Sequence, residues 1–193
     1  MRESDVAAAG LTDAIALHQR VRDGGLATTI AAAAAIVKAV RQGGKVLVFG
    51  NGGSAADAAH TAAELVGRFV RERRGYAAIA LTTDGCVLTA VSNDYGYDQV
   101  FARQIEALGR PGDVALGITT SGSSRNVLRA LETARAQQLT TIALTGRDGG
   151  AAGRAADIHI NVPSEVTPRV QEVHMTLLHV MCDLVETELS AER

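Results

Sequence analysis

The stretch Lys45-Val46-Leu47-Val48-Phe49-Gly50-Asn51-Gly52-Gly53-Ser54 decides the fold of this chain. Four consecutive apolar residues present apolar side chains on both faces of an extended segment. Such a strand must be covered on both sides, which is the condition of a central strand in a parallel sheet. The glycines that follow turn the chain, and the alanine-rich run behind Ser54 reads as a helix. Ser54 and Asp57 match a capping box in its Asp form. A glycine turn between a strand and a helix N-terminus is also a place where backbone N–H groups can meet an anion.

The same rhythm continues outward. Apolar runs at 77–81, 114–118, 141–144 and 158–162 alternate with helix-period segments near 54–67, 84–92, 98–108, 124–137 and 167–189. Alternation of this kind predicts an α/β fold with a doubly wound, five-stranded parallel sheet and right-handed crossovers, in the flavodoxin-like manner. Upstream, Leu11, Ile15 and Leu17 recur at helical spacing, Gly24-Gly25 breaks the pattern, 26–41 resumes it, and Gly43-Gly44 ends it. The chain therefore reads as one domain, 1–193, with a helical hairpin at 1–42 and an α/β core at 43–193 that ends in a long helix. The alanine-rich hairpin suits close helix packing between copies of the chain.

Composition narrows the function. The chain has 193 residues, a formal net charge of −2, 3% aromatic residues and no Trp. A general nucleic-acid binder would need a basic face, and a single-strand binder would need stacking rings. The N-terminal decapeptide has no apolar core of a signal peptide, and no apolar run approaches the ~18 residues of a membrane span. Cys86 and Cys182 form no metal or disulfide pattern and read as buried thiols. A cytoplasmic setting without nucleic-acid or membrane partners follows. Lys38 and Lys45 are the only lysines, so any anion is held mostly without lysine.

Two loops carry the chemistry. Gly50-x-Gly52-x-x-Ala55 meets the loose dinucleotide pattern, but the acidic residue expected about 20 positions later is missing, and no Gly-Lys-Ser/Thr makes a Walker A loop. The second loop, Thr119-Thr120-Ser121-Gly122-Ser123-Ser124, follows another strand and opens another helix. Its hydroxyls and N–H groups form a neutral cradle for a phosphomonoester. On the helix after the first loop, His60 and Glu64 are spaced i, i+4 and share a face, as a metal pair or an acid/base pair. The last helix adds Gln171, Glu172, His174 and His179. His179 falls about 80° from Gln171 and His174 about 60° the other way, so periodicity does not choose between them.

These residues resemble a known family. Gly50-Asn51-Gly52-Gly53-Ser54, His60-x-x-x-Glu64-Leu65, Asn93-Asp94-Tyr95-Gly96-Tyr97, Thr120-Ser121-Gly122-x-Ser124, Leu144-Thr145-Gly146-x-Asp148-Gly149-Gly150 and Val170-Gln171-Glu172-x-His174 with His179 are similar, in order, to motifs of the phosphoheptose isomerases of the sugar isomerase (SIS) domain proteins. The resemblance runs from about 45 to 186. It implies a homotetramer with active sites at subunit interfaces, interconverting sedoheptulose 7-phosphate and D-glycero-D-manno-heptose 7-phosphate on the way to bacterial surface glycans. It further implies that Ser54, Thr119, Thr120, Ser121 and Ser124 hold the phosphate. Asn51, Gly52, Gly53, Asn93, Asp94 and Gln171 line the sugar chain, Glu64 and His179 are the acid/base pair, and His60, Glu64, Gln171 and His179 bind zinc.

Two departures stand out. Pro168 occupies a position where some relatives carry an acidic residue, and Thr119 and Ser123 stand where Ser and Asn are common. Two alternatives also belong to this fold. One is a non-catalytic tetramer resembling the DnaA initiator-associating protein, to which 81–90 has some likeness. The other is an isomerase for a different sugar phosphate. A paired acid and base favours an enzyme, since a binding scaffold has no use for one.

Overall fold

The computed structural model describes residues 2–191. Met1 of the predicted hairpin and Glu192 and Arg193 of the predicted domain lie outside them. The predicted sheet forms. Its strands are β1 (Val46–Gly50), β2 (Ala78–Ala80), β3 (Val114–Thr119), β4 (Thr140–Gly146) and β5 (Ile158–Val162), all parallel, in the order β2-β1-β3-β4-β5. This is the flavodoxin-like order. β1 and β3 are buried along their whole length, as two apolar faces require.

The helices are α1 (Glu3–Asp23), α2 (Ala27–Arg41), α3 (Gly53–Val66), α4 (Gly85–Tyr95), α5 (Ala102–Leu108), α6 (Arg125–Ala136), α7 (Gly150–Ala155) and α8 (Thr167–Ser190). Successive strand residues point to opposite faces, so they feed two cores. Val46, Val48, Leu116 and Ile142 pack with Ile36 of α2, Leu65 of α3 and Leu178 and Met181 of α8. Leu47, Phe49, Ala115 and Ala143 pack with Phe101, Ile105 of α5, Val127 and Leu131 of α6, and Ala152 of α7. α1 and α2 form the predicted hairpin, bent by 76° at its break, and no single helix among the described residues is long and apolar enough to cross a membrane.

Three expectations change. The capping box does not form: Gly52 is the N-cap of α3, and Ser54 is turned inward at 3% exposure. A different aspartate, Asp84, caps its helix by accepting from the Val87 N–H at 3.0 Å. The segment 98–108 splits into a 3₁₀ turn, Tyr97–Gln99, and α5. Cys182 is buried as expected, but Cys86 is exposed in the first turn of α4, a helix with no buried residue. Lys45 is used at the amino ends of the strands, where its Nζ lies 2.5 Å from the buried Asp113 carboxylate.

Candidate active site

Chain connections leave β1 toward β2 on one side and arrive at β3 on the other, so strand order reverses between β1 and β3. Their carboxyl ends diverge there and open a crevice. Both glycine loops emerge at it.

In the first loop, Asn51 is held by two partners. Its Oδ1 accepts from Asn126 Nδ2 at 2.8 Å and from the Tyr97 hydroxyl at 2.9 Å, and its Nδ2 donates to Asn126 Oδ1 at 2.9 Å. Asn126, 3% exposed at the start of α6, thus locks the first loop to the second. Sequence reading missed Asn126. A polar side chain in the first turn of an otherwise apolar-faced helix was the only signal. Gln171 of α8 lies against Gly53, where a Cβ would come within 2.2 Å of its Nε2. Only glycine allows that approach. Asn93 and Asp94 sit exposed at the end of α4, with Asn93 donating to Asp94 Oδ1 at 2.8 Å. Among the described residues neither is hydrogen-bonded to the other predicted site residues.

The second loop gathers its hydroxyls. Thr119 Oγ1 lies 2.9 Å from Ser124 Oγ and 3.3 Å from Ser121 Oγ, and the Ser123 N–H and Oγ both donate to Ser121 Oγ. Gly122 makes this curl possible, with φ of +67° and a Cβ position only 2.3 Å from Gly149 O. The Ala152 N–H donates to Gly122 O at 2.9 Å. The short helix α7, absent from the sequence reading, therefore braces the cradle from behind.

The titratable groups gather on α3 and α8. His60 Nε2 lies 3.2 Å from Glu64 Oε1 and 3.0 Å from His179 Nε2. The ring of Phe69 stacks at 5.2 Å on His179. Geometry settles the choice that periodicity left open, because His174 faces the core with no exposure. Its Nε2–H donates to Thr145 O at 2.9 Å, and burial pushes its pKa down to about 4, so it stays neutral. Asp57, one turn before His60, is also buried, and one of its oxygens has no partner. Burial pushes its pKa up to about 6, against the opposing pull of His60.

Two imidazoles and a carboxylate are donors that zinc accepts. As the side chains stand, no group of three or more His, Cys, Asp or Glu among the described residues is arranged to hold a metal ion. Two separations, His60–His179 at 3.0 Å and His60–Glu64 at 3.2 Å, are close to the roughly 3.3 Å edge of a tetrahedral zinc–nitrogen shell, so the chemistry of these three side chains fits zinc.

Comparison with known proteins fits this geometry. The SIS domain family matches residues 11–146. A phosphoheptose isomerase from Geotalea daltonii is 54% identical over 91% of this chain and 94% of its own length. One from Aquifex aeolicus is 60% identical over 82% of each chain. The chain belongs to the phosphoheptose isomerases. It is therefore an isomerase of sugar-phosphate metabolism with a SIS fold. A solved phosphoheptose isomerase structure, GmhA from Neisseria gonorrhoeae, superposes with a TM-score of 0.91 at 44% identity, covering 96% of this chain and all of that one (100%).

Proposed function

We propose that the chain converts sedoheptulose 7-phosphate to D-glycero-D-manno-heptose 7-phosphate. The convergence of His60 and Glu64 of α3 with His179 of α8 carries this reading, since a carboxylate beside an imidazole is what an aldose–ketose shift needs. The phosphate sits on Ser54, Thr119, Thr120, Ser121 and Ser124. Its negative charge meets loop hydroxyls and the N-terminal amides of α6. Asn51, Gly52, Gly53, Asn93, Asp94 and Gln171 line the sugar chain.

Glu64 takes the proton from C1 as the C2 carbonyl oxygen gains one, giving an enediol. His179 moves protons between the two oxygens, and Glu64 returns its proton to C2 while the C1 oxygen becomes the aldehyde. His60, Glu64, Gln171 and His179 would hold zinc, which when bound supplies positive charge to the oxygens of the reacting carbons. The exposed apolar side chains of α1, Val6, Leu11 and Ile15, line or flank a groove of about 470 Å³ between α1 and α8. They support assembly as a homotetramer with active sites at subunit interfaces. A cytoplasmic location suits a sugar-phosphate substrate.

The test is incubation of the protein in deuterated water with sedoheptulose 7-phosphate and, in parallel, with five- and six-carbon ketose phosphates. The expected result is aldose formation and C1 exchange with the seven-carbon ester. Turnover of only a shorter ketose would replace the substrate, and no exchange with any would overturn the isomerisation reading.

A further inference from the structure

The segment between α3 and β2, Arg68 to Arg74, has five charged residues in seven, yet its Arg73 is 8% exposed. It wraps over the carboxylate of Glu186, which has no exposed surface at all. Glu186 accepts from the N–H groups of Phe69 (2.7 Å), Val70 (3.0 Å) and Arg71 (2.9 Å), and from Arg73 Nε at 2.8 Å. Burial alone would raise its pKa, but these donors more than offset that and hold it below the ordinary value. The other guanidinium nitrogens of Arg73 reach the end of α3. Nη2 donates to Glu64 O at 2.8 Å, and Nη1 donates to Leu65 O and Gly67 O at 2.9 Å each. The guanidinium lies over the Tyr76 ring at 3.9 Å.

The last carbonyls of a helix have no partner within it. Here they are taken by one buried cation whose counter-ion belongs to α8. Glu186 lies seven residues beyond His179, almost two turns along the same face of that helix. The same wrap carries Phe69 onto the His179 ring. One guanidinium therefore ties the end of α3 bearing Glu64 to the helix bearing His179. We propose that Arg73 and Glu186 are positioning residues for isomerisation, fixing the separation of Glu64 and His179. The proposal rests on the assignment of those two as the acid/base pair. Proton transfer depends steeply on such a separation, with a misplacement of about 1 Å costing on the order of 100-fold in rate. Thr119, Thr120, Ser121 and Ser124 stand before α6, in the other layer of the sheet, and Ser54 lies at the opposite end of α3, so the clamp bonds none of the proposed phosphate ligands.

Two variants test it. Arg73→Lys keeps a cation beside Glu186 but cannot bridge Glu64, Leu65 and Gly67 together. Glu186→Gln keeps the size and one acceptor oxygen. Each is expected to fold, to lose about tenfold or more in kcat on sedoheptulose 7-phosphate, and to hold KM within about twofold. Each is also expected to lose the nuclear Overhauser contact between the Phe69 and His179 rings that the wild type shows. Folded variants with wild-type kcat, with the loss confined to KM, or with the ring contact intact overturn the proposal. If Glu186→Gln fails to fold, Arg73→Lys, which leaves no unpaired buried charge, decides alone. A wild type inert on this sugar overturns the choice of reaction instead, and the ring contact then decides whether the clamp exists.

Discussion

His60 and His179 face each other through their Nε2 atoms at 3.0 Å, although 119 residues separate them in the chain. Two ring nitrogens this close share one proton or flank one cation. Purified protein is expected to carry about one zinc per chain by elemental analysis, and His60→Ala to lose it while still binding inorganic phosphate. Metal-free protein with full activity in the presence of a chelator would remove zinc from the mechanism.

The proposed function makes Glu64 the base that takes the C1 proton. Glu64→Gln keeps the shape and removes the base, so turnover should fall by about 10³-fold with the helical circular dichroism unchanged. The check is solvent deuterium incorporation at C1. Wild-type incorporation by this variant would reassign the base.

The cradle depends on Gly122. A Cβ there sits in a positive-φ conformation and 2.3 Å from Gly149 O, so Gly122→Ala must open the curl against α7. The expected cost is about 1–3 kcal/mol of stability and roughly a tenfold rise in KM, with kcat little changed. Urea unfolding and steady-state kinetics measure the two separately.

Asp57 and His174 give stability opposite slopes with pH. The Asp57 carboxyl rises from an ordinary 3.8 to about 6 on folding, so its contribution is largest below pH 4 and is lost as pH rises toward 6. The His174 imidazole falls from 6.5 to about 4, so its contribution is complete above pH 6.5 and is lost as pH falls toward 4. Each amounts to about 3 kcal/mol at most, from ~1.4 kcal/mol per unit. Relative to wild type, Asp57→Asn should gain stability at pH 7.5 and little at pH 4. His174→Gln should show its relative gain at the acid end. Urea midpoints at the two pH values check both signs.

The strands were legible because apolar runs bounded by glycine and charge leave few other readings, and the β1 loop announced a ligand edge. What escaped was non-local or had no period. α7 is a stretch of glycine and alanine around one arginine, with no apolar face to detect. Ser54 and Asp57 had cap spacing, but Gly52 began the helix first and turned both inward. The choice of His179 over His174 depended on which side of α8 meets α3, which no angle along one helix contains. Arg73 hid in a charge run because its partner lies more than a hundred residues away, on α8.

The two hydrophobic clusters lie on opposite faces of the sheet, and the site draws on both. α3 and α8, which carry the titrating groups, belong to one layer, and α6, with the phosphate cradle at its start, belongs to the other. Under the proposed function a sugar phosphate spans two jaws joined by the Asn51–Asn126 pair: one supplies most of the phosphate hydroxyls, the other the acid/base pair. Repacking the α6 layer should alter how firmly the phosphate is held, and repacking the α8 layer how fast the proton moves. A change in sugar length needs adjustment only in the gap between the jaws.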